Sequence, residues 1–289
     1  MIRKLFLKNA AGERWGLNGD RGVYASSLSG FGFTLSPGFA DLGRGFFVPV
    51  SDEAEPQNTI PFTLTFIRNP YETYKQLVDW LSAAGTVTLV YNPTGTQEYY
   101  RDVLINFLQK GELNEVGWLE IPSSFFCSTP WYKPSPTPLD LGQAGTDNQK
   151  RYPYRYPYRY GQNSASSLSG TIAGAGHVPG ALELRYRGAI QNPRIRLVGN
   201  ISGKTYGVCS VTAVFSSGDT LKLSTRYEDS YVKKISSAGA ETDLLDSLDL
   251  SSVPFFHIPV DEPCTLSIEA DASFQGIADL LIFYYYRSV

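Results

Sequence analysis

The sequence predicts a mainly β protein, with a β-rich first domain that holds one helix and an all-β sandwich after it. Three observations carry this prediction. Val, Ile, Thr, Tyr and Phe recur in short alternating runs, and 27 glycines and 18 prolines punctuate them as turns. One segment alone combines a helical repeat with start and stop signals. Hydrophobic residues make up 42% of the chain, enough for a packed core and too many for a disordered polymer.

The first strands are KLFLK (Lys4–Lys8) and ERWGL (Glu13–Leu17), split by a turn in the manner of a hairpin. Gly-punctuated strands follow as far as FFVPV (Phe46–Val50). TIPFTLTFIR (Thr59–Arg68) then places Ile60, Phe62, Leu64 and Phe66 on one face of a strand. The helix comes next. Asn69 is the expected N-cap, Pro70 suits the first helical position, and Glu72 completes a capping-box spacing. Tyr71, Tyr74, Leu77, Val78 and Leu81 recur at helical spacing as an expected core face, and Gly85 is the expected stop. Strands resume at TVTLVY (Thr86–Tyr91), and YYRDVLINFL and ELNEVGWLEIPSSFFC flank an expected turn at Lys110-Gly111.

At STPWYKPSPTPLDLG four prolines, Pro130, Pro134, Pro136 and Pro138, exclude a helix or a central strand. The expected division is therefore a first domain over 1–133, a Pro/Tyr-rich linker or arm over 134–165, and a second domain over 166–289. After a Gly/Ser-rich stretch the expected strands are short: ALELRYR, PRIRLV, TYGVCSVTAVF, TLKLST, SYVKKI, FFHIPV, CTLSIEA and ADLLIFYYYR. Their spacing and turn residues fit a sandwich. Thr242–Leu250 reads as a short helix or an ordered loop.

Charge and cysteine content narrow the function. The net charge of −3 lacks the basic domain of a nucleic-acid binder. No run approaches the length of a membrane span, and MIRKLFLKNA lacks the apolar stretch of a secretion signal. Cys127, Cys209 and Cys264 are odd in number and far apart, which fits buried thiols in a reducing compartment better than a disulfide framework.

Motifs for chemistry are weak. GNISGKT (Gly199–Thr205) ends like a phosphate-binding loop but has three residues between its glycines where that loop needs four, and a strand follows it, so a hairpin turn is expected. GAGHVPG (Gly174–Gly180) has the wrong spacing for a dinucleotide fingerprint. His177 and His257 lack a second ligand nearby in sequence. No G-x-S-x-G nucleophile elbow is present. No catalytic, cofactor-binding or metal residue is expected. Arg185 and Arg187, like Arg194 and Arg196, share a strand face, and would form a basic patch if their strands were neighbours.

KRYPYRYPYRYG (Lys150–Gly161) stands apart. Lys150, Arg151, Arg155 and Arg159 set four positive charges on an acidic chain. In an extended chain Tyr152, Tyr154, Tyr156, Tyr158 and Tyr160 share one face, opposite the arginines and prolines. Two prolines exclude a fully paired central strand. An edge strand or an arm about 40 Å long is expected, with tyrosines packed against protein.

FTLTFIRNPYETYKQLVDWLSAAGTVTLVY, YYRDVLINFLQKGELNEVGWLEIPSSFFCSTPWY, YPYRYPYRYG, YRGAIQNPRIRL and FFHIPVDEPCTLSIEAD, in this order, resemble the siphovirus-type phage distal tail proteins over nearly the whole chain. The resemblance implies an N-terminal belt domain that closes a homo-hexameric ring, and a galectin-like C-terminal sandwich. It implies a non-enzymatic virion protein at the tail tip, folded in the host cytoplasm. Its expected partners are itself, the tail tube protein, the tip hub protein and receptor-binding proteins, with no nucleic acid, membrane or cofactor. Candidate interface residues are Tyr71, Tyr74, Arg151, Tyr152, Tyr154, Arg155, Tyr156, Tyr158 and Arg159. The alternative role is a carbohydrate-binding adhesin or receptor-binding module.

Overall fold

A computed structural model describes residues 3–35, 38–41, 47–51, 54–56, 58–135, 142–143, 165–174, 176–249 and 251–289. The chain divides into two units, Met1–Lys133 with Tyr285–Val289, and Pro134–Tyr284. The terminal segment thus folds with the first unit, where Tyr286 meets Tyr99 edge to face with ring centres 5.6 Å apart.

The first unit comprises β1 (Lys4–Asn9), β2 (Arg14–Gly16), β3 (Val23–Ser26), β4 (Phe33–Leu35), β5 (Gly38–Asp41), β6 (Phe47–Ser51), β7 (Ala54–Pro56), β8 (Thr59–Phe66), α1 (Pro70–Ala83), β9 (Val87–Asn92), β10 (Tyr99–Leu108) and β11 (Leu119–Cys127). β12 (Trp131–Pro134) ends it. Antiparallel ladders run β2–β1–β9–β10–β11–β8–β3. The Asn18↔Tyr24 bridge and the Ala25 N–H to Leu17 carbonyl bond join the two ends of this order. Closure removes the unpaired edges that an open sheet presents. β4 pairs with β7 and β5 with β6 as separate ribbons.

The alternation of β8 decides its orientation. Ile60, Phe62, Leu64 and Phe66 are all buried, and Phe62 stacks on Phe125 of β11 at 4.3 Å. With Trp15, Leu89, Ile121 and Trp131 they form one core.

The helix spans the expected residues, with Pro70 at its start. Its cap differs from expectation. Asn69 takes a left-handed conformation, φ 43°, and its side chain makes no capping bond. Thr73 instead donates its hydroxyl to the Arg68 carbonyl at 2.8 Å. Gly85 follows the last turn at φ +67°, where a side chain would be strained. Leu77 is fully buried, while Tyr74, Trp80 and Leu81 pack partly buried against the core. Tyr71 departs from the expected core face and is exposed.

The second unit contains β13 (Gly142–Gln143), β14 (Ala165–Ile172), β15 (Val178–Gln191), β16 (Arg194–Gly199), β17 (Thr205–Ser210), β18 (Val214–Phe215), β19 (Thr220–Arg226), β20 (Asp229–Ile235), β21 (Glu241–Asp243) and β22 (Cys264–Tyr286). One sheet runs β13–β14–β22–β16–β17. The other runs β22–β15–β19–β20–β21. Leu184, Leu221, Leu223, Leu280, Ile195, Leu197, Leu266 and Ile268 fill a shared core, so the unit is a β-sandwich.

Three expectations change here. CTLSIEA and ADLLIFYYYR are one strand of 23 residues that pairs in both sheets. Ala165–Ile172, inside the Gly/Ser-rich stretch, is a strand. FFHIPV is not a strand: it is held by the Ile258↔Gly180 bridge and by burial of Phe256. Phe255 and Phe256 pack against the sandwich core rather than joining a ladder. Cys127, Cys209 and Cys264 are free and buried, and burial pushes each thiol up, Cys209 to about 12.

Candidate functional site

The outer side of the β10–β11 hairpin gathers the exposed apolar residues that matter most in the first unit. β10 and β11 alternate, so Val103 and Phe125 point inward while Leu104 and Phe126 point out. Leu104 and Phe126 are direct cross-strand partners, 61% and 44% exposed. Leu113, Val116 and Trp118 are exposed at the hairpin's far end. Phe126 and Trp118 stand eight residues apart along the strand, roughly 26 Å, so the hairpin presents two exposed apolar clusters, each a candidate contact site.

The far end is built with care. The tight turn lies at Asn114–Gly117 rather than at Lys110-Gly111, because Asn114 supplies the local bonds. The Gly117 N–H reaches the Asn114 carbonyl at 2.9 Å, and the Trp118 N–H reaches Asn114 Oδ1 at 2.9 Å. An Asn side chain that accepts from backbone amides is a turn former in its own right. Tyr71, from the first turn of α1, donates its hydroxyl to Glu112 Oε2 at 2.8 Å. The Lys110 ammonium lies 4.5 Å from the Tyr71 ring centre. The Glu112 bond chiefly, with some burial, holds the Tyr71 phenol above its usual pKa. Tyr71 is therefore exposed at the hairpin, while Tyr74 meets Phe66 edge to face at 6.0 Å as part of the core packing. Arg151, Tyr152, Tyr154, Arg155, Tyr156, Tyr158 and Arg159 lie outside the described residues.

The arginine pairs do not combine. β15 carries Arg185 and Arg187 in one sheet, and β16 carries Arg194 and Arg196 in the other. Each pair lies exposed on the outer face of its sheet, with Arg196 Nη2 bonded to Thr205 Oγ1 at 3.1 Å.

The phosphate-loop look-alike has a physical use. β16 and β17 form the expected hairpin around it. The N–H groups of Ile201 and Ser202 converge on Glu262 Oε2 at 3.0 and 2.9 Å, and Ser202 and Tyr206 donate hydroxyls to Oε1. Converging amides suit an anion, and here the anion is the chain's own carboxylate. The Ser202 and Tyr206 hydroxyls, then the Ser202 N–H, hold Glu262 down at about 2. This bond set spans roughly sixty residues of sequence, and no local pattern announces it. His257 stacks on Tyr227 with ring centres 4.1 Å apart, and burial lowers its pKa. Among the described residues no cluster of His, Cys, Asp or Glu could hold a metal ion.

Residues 4–128 match the family described as distal tail protein, N-terminal domain. The chain shares its fold with a component of the phage P2 baseplate in its activated conformation with calcium, at 16% identity and a TM-score of 0.71, over 100% of both chains. It also shares it with SPP1 Dit (gp 19.1), at 10% identity and a TM-score of 0.57, over 98% of this chain and 99% of that one. The SPP1 protein is described as a paradigm of the hub adsorption apparatus in phages that infect Gram-positive hosts. No curated protein sequence matches the chain.

Proposed function

We propose that this chain, whose residues 4–128 match the distal tail protein N-terminal domain, is a structural component of a phage tail tip that assembles into a ring. Six copies join head to tail through the first unit. A heterologous interface closes when its rotation divides the circle. The ring joins the tail tube protein to the tip hub and carries receptor-binding proteins outward. The role is structural, and no residue is assigned a catalytic part.

The family match carries this reading. The exposed apolar face of the β10–β11 hairpin supports it, because Leu104, Phe126, Val116 and Trp118 need a partner surface to leave water. Closure of the first unit's ladders also supports it: with few strand edges to extend, self-association proceeds through side-chain surfaces. Tyr71 stands beside this face and belongs to the proposed interface; Tyr74 is assigned to it only through the helix it anchors. The Tyr/Arg alternation of Lys150–Gly161 is proposed as a further contact on sequence grounds alone.

Electron microscopy of the purified chain at high concentration tests the proposal. Class averages with a central hole and sixfold symmetry are expected. Open filaments, or particles of one chain only, would reject it.

A further inference from the structure

The two apolar clusters of the β10–β11 hairpin are unlike each other. One is a knob. Leu113, Val116 and Trp118 stand exposed at the far end of the hairpin. The turn that carries them is pinned. Asn114 Oδ1 accepts from the Val116 and Trp118 N–H groups at 3.2 and 2.9 Å, and Glu112 beside it is held by Tyr71. A tip ordered in advance loses little freedom when it is buried.

The other cluster is a flat patch. Thr59 of β8, Phe126 of β11 and Leu104 of β10 form one row across three strands. The next outward row on β8 and β11 is Pro61 and Ser124, and the one after it is Thr63 and Pro122. None of these side chains is charged. Asp102, the preceding outward residue of β10, is engaged, since Thr88 and Tyr132 donate hydroxyls to its Oδ1 at 2.8 and 2.9 Å. Leu104 and Phe126 are therefore an apolar centre with an uncharged rim. Depletion of charge is what marks the centre of a protein contact.

An isologous contact pairs one patch with itself. A head-to-tail contact needs two different surfaces on each chain. The hairpin carries two, both on the outer side of the sheet, because Trp118 and Phe126 are an even number of residues apart.

We propose that the hairpin tip of one copy, through Val116 and Trp118, seats on the Leu104–Phe126 patch of the next copy. This rests on the ring reading above and deepens it by assigning the two halves of the contact. It also sets a dimension. The tip of one copy coincides with the patch of the next, so tip and patch within one chain are related by one step of the ring's rotation. In a sixfold ring the chord of that step equals the radius. The contacts then lie on a circle of radius roughly 26 Å, and the hairpin runs along the circumference.

The test is cross-linking of two single-cysteine variants of the full chain, Leu104→Cys and Val116→Cys, with a short bismaleimide. Both positions are exposed, and Cys127, Cys209 and Cys264 are buried, so the new thiols are the reactive ones. The parent chain is the control. A melting temperature equal to the parent's checks each variant, and Phe126→Cys replaces Leu104→Cys if that variant does not fold. An equimolar mixture of the two variants should give a two-chain band at least tenfold stronger than either variant alone. A strong band from one variant by itself would mean that a patch meets its own copy, and would overturn the proposal. A mixture no stronger than the single variants, in a sample whose scattering mass approaches six chains, would overturn this pairing and leave the ring standing. A mass of one chain at every concentration would reject the ring, and this pairing with it.

Discussion

Tyr71 in the first turn of α1 donates its hydroxyl to Glu112 Oε2 over 2.8 Å, and this bond ties the helix to the far end of the β10–β11 hairpin. The contact links the two features of the first unit that face outward together. It is exposed, so its role is to order a surface rather than to stabilise the fold. Tyr71→Phe keeps the ring beneath Lys110 and removes only the donor. Amide exchange at Asn114–Trp118 should accelerate several-fold by mass spectrometry, with no change in melting temperature.

Val116→Ser combined with Trp118→Ser removes apolar area that is already exposed in the single chain. The thermal midpoint should stay the same, and the assembled species should fall to single chains by size-exclusion chromatography. An unchanged elution volume would place the interface elsewhere.

Leu77 is the fully buried apolar residue of α1. Leu77→Ala should cost about 2–5 kcal/mol in the unfolding of the first unit, from lost transfer energy and the cavity left behind. Urea denaturation followed by Trp fluorescence reads this directly, because Trp80 lies on the same helix and Trp15 faces it at 5.9 Å.

These elements show what a sequence makes legible. Ile60, Phe62, Leu64 and Phe66 alternate because one face of β8 is buried, and alternation is local. Pro70 and Gly85 mark helix ends through their own backbone preferences. The outward pair Leu104–Phe126 was not legible, since its exposure depends on which strand face the barrel turns inward. Trp80 packs on the core although Val78 and Leu81 by themselves complete a helical stripe in the sequence. The apolar run around Phe256 predicts a strand, yet Phe256 lies over Gly207. A Cβ at residue 207 would come within 2.1 Å of the Phe256 Cβ, a contact set by distant parts of the chain. Gly207→Ala should accordingly destabilise the second unit by about 1–3 kcal/mol, as overpacking does.

Glu262 gives the sandwich a pH dependence. Its folded pKa of about 2 lies below the ordinary 4.5, because Ser202 and Tyr206 donate to the charged form. The unfolded chain therefore binds the proton more tightly. The contribution is fully present above about 4.5 and is lost as pH falls toward about 2. Glu262→Gln should lower the melting temperature at pH 6, and the gap to the parent chain should narrow steadily below pH 4.5. A gap constant from pH 6 to pH 3 would assign the effect to shape rather than charge.

Ring formation through the first unit is tested most directly by multi-angle light scattering across a hundredfold range of concentration. A mass approaching six chains at the upper end is predicted, with Val116→Ser/Trp118→Ser remaining at one. A mass of one chain for the parent protein at every concentration would contradict the account.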